Sequence, residues 1–159
     1  MFTAKQFHSL SLSICLVMMI SWPLTLFAQT QTYVTVLEPP ENGQEVGITM
    51  LVKGTAVLPK DTFLWILAHR VKDHENAWWP QGEVAVDPQN STWAKSVKFG
   101  EEHDIGYQFE IAVITLAKEE HEKLSRYWFM VKRTGRSHPI KMPPTTSPPT
   151  IRSVLKVSH

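Results

Sequence analysis

The chain has 159 residues, 43% of them hydrophobic, and a formal net charge of +1 at pH 7, which suits one domain and calls for no nucleic-acid partner. Its single cysteine, Cys15, lies in an N-terminal apolar run, so the rest of the chain excludes disulfides, thiolate chemistry and zinc–cysteine sites. The charge is unevenly spread: residues 29–121 carry 7 Lys and Arg against 14 Asp and Glu, and residues 122–159 carry 8 against 1.

Residues 1–28 read as a signal peptide. Lys5 lies near the start, the apolar run from Ile14 continues to Phe27, and small Ala28 suits the residue before a signal-peptidase cut. The run is broken by Ser21 and Pro23 and is shorter than the ~20 apolar residues of a comfortable membrane span. An uncleaved segment would be the only membrane contact expected. Residues 29–159 are then one extracytoplasmic domain, secreted or periplasmic, with stability from packing alone.

Residues 33–37, Tyr-Val-Thr-Val-Leu, read as a first, edge strand that stops at two prolines and Asn42-Gly43. Residues 45–56 alternate cleanly, with Val46, Ile48, Met50 and Val52 on one face, as in a half-buried strand. Residues 62–70, Thr-Phe-Leu-Trp-Ile-Leu-Ala-His-Arg, are apolar in both parities and predict a central strand covered on both faces. A polar loop, 72–76, leads to Trp78-Trp79-Pro80-Gln81-Gly82 and to a short strand expected at 83–87. Residues 92–99 predict a one-sided strand presenting Trp93, Val97 and Phe99, with Lys95 among them. An acidic loop, 100–106, precedes a second apolar run, 109–116, expected to pair with the central strand.

From Ala117 the period changes to that of a helix of about three turns, with Leu116, Leu124 and Trp128 near one face. Five prolines between Pro139 and Pro149 exclude regular structure there, and residues 151–157 form a last strand. About seven strands with one helix before the last predict a mostly β fold, a Greek-key β-sandwich.

Several short motifs in this order resemble a bacterial immunoglobulin-like domain of exported or membrane-attached proteins. They are Pro39-x-x-x-Gly43, Lys53-Gly54-Thr55-Ala56, Leu64-Trp65-Ile66-Leu67, Trp79-Pro80-Gln81-Gly82, Thr92-Trp93 with Phe99-Gly100, and Phe109-Glu110-Ile111-Ala112. The resemblance covers about 33–157 and implies an immunoglobulin-like fold outside the cytoplasm. It departs at residues 87–93, where the expected tight Asp-Gly-Thr-Trp turn is longer. It implies no reaction, because such sandwiches carry many unrelated functions.

No catalytic constellation, glycine-rich phosphate loop or metalloprotease motif is present in the sequence. His69 with Asp73 and His74, and the run Glu101-Glu102-His103-Asp104, read as solvated loop groups and not as metal sites. No cofactor and no enzymatic activity are expected. The candidate ligand residues are Trp78, Trp79, Gln81 and His74, because an indole offers a flat apolar face with one donor to a sugar ring or peptide. A second candidate is the basic patch Arg126, Lys132, Arg133 and Arg136. Together these suggest a non-enzymatic module binding an envelope or extracellular protein, with glycan binding on a Trp78/Trp79 platform as the alternative.

Overall fold

The structure, a computed structural model, describes residues 31–72 and 76–158; the signal-peptide reading and His74 fall outside them. Among the described residues eight strands form two sheets: β1 (Tyr33–Glu38), β2 (Gln44–Val46), β3 (Thr49–Val57), β4 (Thr62–Arg70), β5 (Trp79–Val84), β6 (Thr92–Lys98), β7 (Gln108–Ala117) and β8 (Thr150–Lys156), with helix α1 (Lys118–Thr134) between the last two. One sheet has the order β1-β3-β6 and the other β2-β8-β7-β4-β5. All pairs are antiparallel except β2 with β8.

The two sheets face each other across a core of Val36, Val52, Leu64, Ile66, Trp93, Val97, Phe109, Ile111 and Val154. Within the three-stranded sheet, Gly54 lets the Trp93 ring lie across β3, because a Cβ there would lie 2.0 Å from the Thr35 carbonyl oxygen and 2.4 Å from the Trp93 ring.

The five-stranded sheet has a second apolar face, and α1 with the proline-rich segment covers it. Trp65, Leu67, Trp78, Ala112, Ile114, Leu116 and Leu124 form this outer core. Alternation explains why β4 is apolar in both parities: Leu64 and Ile66 enter one core, Trp65 and Leu67 the other. Trp65 is therefore a core anchor beneath the helix and not between the sheets. Its burial, 1% exposed, removes roughly 4 to 6 kcal/mol worth of apolar surface from water, as an upper bound.

Helix α1 begins without a connecting loop, Ala117 being both the end of β7 and the N-cap. His121 fastens its first turns: the imidazole stacks on Phe63 at 3.7 Å between centroids, and its Nδ1 accepts from Trp65 Nε1 at 3.1 Å. The helix runs 17 residues, nearly five turns and longer than the three expected. It ends where Gly135 adopts φ 67° and donates its N–H to the Val131 carbonyl.

The strand expected at 83–87 starts earlier, at Trp79. Pro80 is tolerated because β5 is a sheet edge with a register shift opposite Ile66 and Leu67. The continuous alternation over 45–56 hides another break. Residues 44–46 pair with β8, whereas residues 49–57 pair with β1 and β6.

Candidate functional site

The chain leaves β4 at Arg70 and returns at Trp78, where the adjacent indoles take opposite sides. Trp78 bridges to Ile140, donating its N–H to the Ile140 carbonyl at 2.9 Å and accepting the Ile140 N–H at 2.8 Å. Its ring packs 5.1 Å from His69, and the residue is 6% exposed. The expected exposed Trp78 platform is corrected by this geometry, because the proline-rich segment closes over the indole. His69 is buried with it, its Nδ1 3.1 Å from the Ala77 carbonyl, so it is not a solvated loop group.

Trp79 stands opposite Ala68 in the β4–β5 register, hence on the side that faces the other sheet. It is half-buried in the wall of a cleft of about 450 Å³. The cleft lies between β5, the end of β6, the segment 100–104 and the C-terminal half of α1. Trp79, Pro80 and Phe109 supply apolar wall on the sheet side, and Trp128 and Val131 supply it from the helix. An aromatic-lined concavity between sheet edges is a common ligand-site geometry.

Gln81 holds the two sheet edges together beside this cleft. Its Nε2 donates to the Trp79 carbonyl at 3.2 Å, and its Oε1 accepts the Lys98 N–H at 3.0 Å. A second clasp lies further along, where Lys95 Nζ donates to the Glu83 carbonyl at 3.0 Å. Burial chiefly, and the charge of Lys132 after it, hold the Lys95 ammonium below the ordinary lysine range against the opposing pull of Glu83. Gly82, at φ 111°, leaves room for this ammonium, which a Cβ would approach to 2.8 Å.

The polar floor is built on Asp104, whose side chain is 5% exposed. Its carboxylate accepts from Arg70 Nη1 at 2.5 Å and from the Glu101 N–H at 2.7 Å. Burial alone would raise the Asp104 carboxyl; the Glu101 N–H and the Arg70 guanidinium outweigh it and hold the group below the usual aspartate range. Gly100 permits the arrangement, since at φ 58° its missing Cβ would lie 2.1 Å from Asp104 Oδ2. Buried Lys156 donates to the Glu101 carbonyl from beneath. At the rim Lys98 pairs with Glu101 at 2.7 Å, and His103 is exposed. The acidic loop is thus only partly solvated, and Asp104 is a structural anchor.

The cleft therefore gathers Trp79 and Gln81 from the sequence candidates and adds Trp128, Lys98, His103 and Ser137. Trp128 shares a helix face with Leu124, which is why its spacing reads simply as core. The basic candidates Arg126, Lys132, Arg133 and Arg136 are all exposed. Of these, Lys132 lies beside the cleft, with Nζ 6.0 Å over the Trp128 ring. Among the described residues no group of three or more His, Cys, Asp and Glu is placed to hold a metal ion. No protein-family model matches this chain, and the comparison with curated proteins finds no match.

Proposed function

We propose that this chain is an exported, non-enzymatic binding module of immunoglobulin-like topology, and that its cleft receives an uncharged part of an envelope or extracellular protein. The observation that carries this reading is the concavity between Trp79 and Trp128, floored by charges that already neutralise one another as Arg70 with Asp104 and Lys98 with Glu101. Ligand charge would have to compete with these pairs, whereas an apolar or neutral polar group displaces water from indole at little electrostatic cost.

The immunoglobulin-like assignment is supported by strand order. The first strands divide between the sheets, β1 in one and β2 in the other, and β2 runs parallel to the last strand, β8. The grouping of β1, β3 and β6 against β8, β7, β4 and β5 supports a Greek-key reading. It departs in having α1 between β7 and β8, and in the tryptophan of β4 lying under that helix.

The test is site-specific photocrosslinking. A photoreactive side chain at Ser137, on the cleft rim, is expected to capture a partner in the envelope fraction. The same side chain at Ser96, on the outer face of the three-stranded sheet, is not. Equal capture from both positions, or none from Ser137, overturns the proposal. A neutral glycan is the second reading, favoured by the indole walls, because sugar rings stack on such faces. Quenching of tryptophan fluorescence by neutral oligosaccharides, abolished by Trp79→Ala, would establish it in place of the protein partner.

A further inference from the structure

The outward side of α1 is unlike the remainder of the helix. Arg126, Phe129, Met130 and Arg133 follow at intervals of three, one and three residues and so share one stripe. Phe129 is 63% exposed and Met130 44%. Arg126, Lys132, Arg133 and Arg136 are exposed, and none of them forms an ion pair among the described residues. The acidic residues of α1 are confined to its first turns. Glu119 and Glu120 pair there with Lys123, and Glu122 borders the stripe one turn before Arg126. Beyond Glu122 the chain contains no Asp or Glu.

We infer that this stripe docks on an anionic phospholipid surface, with Phe129 and Met130 entering the boundary between headgroups and acyl chains and Arg126, Arg133 and Arg136 meeting lipid phosphates. Charge complementarity and shape argue for this occupant. The apolar pair sits on the convex face of a helix, flanked by arginines one turn away on either side. A lipid surface supplies phosphate at one level and hydrocarbon just below it, matching long basic side chains around a shorter apolar tip. The contact is separate from the cleft, since Trp128 and Val131 turn toward the cleft while the stripe turns away. It is also separate from any membrane insertion of the N-terminal segment. Each basic residue near an anionic leaflet contributes about a fivefold factor in partitioning, and the effect falls off within a Debye length.

The test uses the full chain carrying Cys15→Ser, with an environment-sensitive fluorophore on a cysteine introduced by Phe129→Cys. Such a label reports insertion of this stripe even where another part of the chain already holds the protein on the vesicle. On phosphatidylcholine vesicles containing about 30 mol% phosphatidylglycerol, blue-shifted and brighter emission is expected; on phosphatidylcholine alone it is not. The response should disappear at about 0.5 M salt. Reversing Arg126 and Arg133 to Glu should lower the inserted fraction at least about 100-fold. The same label on Ser96→Cys should not respond. No response at position 129 on the anionic vesicles, or an equal response at 96, overturns the inference. Soluble polyglutamate producing the same shift as vesicles also overturns it, in favour of an acidic protein partner.

Discussion

Replacing Asp104 by Asn should loosen the polar end of the cleft by a calculable amount. The carboxylate is nearly inaccessible and meets both the Arg70 guanidinium and the Glu101 N–H. Breaking a fully buried pair by removing one partner costs about 3–5 kcal/mol. Here the Arg70 side chain is 31% exposed, so water recovers part of that, and Asn retains a neutral acceptor. A loss of about 1.5–3 kcal/mol follows, equivalent to roughly 5–10 °C in Tm for a domain of this size. The pH dependence separates charge from packing. Because the folded carboxyl is held below its unfolded value, near 3.9, its contribution is fully present above that value and is lost as pH falls through the folded pKa. Urea unfolding of both proteins should show a constant gap from about pH 5 to 8 that closes below about pH 4. No gap at neutral pH, or one that widens toward acid, would refute the reasoning.

Other substitutions sort the two cores from the cleft. Trp78→Ala should cost about 3–5 kcal/mol because it empties the layer between sheet and proline-rich segment. Trp79→Ala should cost no more than about 2 kcal/mol, its indole being only half-buried; denaturant midpoints for the pair check this, and equal losses would contradict the opposite placements. Gly54→Ala should destabilise by about 2–3 kcal/mol. Its φ suits alanine, but the new methyl meets the Thr35 carbonyl of the neighbouring strand, which cannot rotate away. A stabilised Gly54→Ala protein in thermal melts would show that β1 yields instead. Gln81→Ala should loosen the β5–β6 clasp by about 1–2 kcal/mol, seen as faster amide exchange at Lys98.

The double apolar parity of β4 was legible in the sequence, and so was its pairing with β7, since a strand buried on both faces must lie inside a sheet. What covered its second face was less legible. The helix was visible from its period, but nothing in the spacing of Leu116, Leu124 and Trp128 states which sheet face they meet. The crossing of residues 44–57 from one sheet to the other was hidden for a physical reason. Val46 and Val52 leave different sheets yet point into the same core, so the inward parity is unbroken and the alternation looks like one strand. Pro80 has no N–H to give to a ladder, so only the edge position and register shift of β5 explain a strand that starts at Trp79. At the site, Trp79 and Gln81 could be named because they stand in a turn-rich aromatic cluster. Trp128, Lys98 and Ser137 could not, because their meeting depends on where two sheet edges and a helix terminus converge.

Indole N–H resonances in a ¹H–¹⁵N correlation spectrum test the cleft most directly, because the tryptophans of the described residues divide among the outer core, the core between the sheets and the cleft. Titration with the crosslinked partner, or with the neutral oligosaccharide that quenches fluorescence, should shift the Trp79 and Trp128 signals while leaving Trp65, Trp78 and Trp93 in place. Shifts confined to the buried indoles, or saturating binding that moves neither Trp79 nor Trp128, would contradict the account.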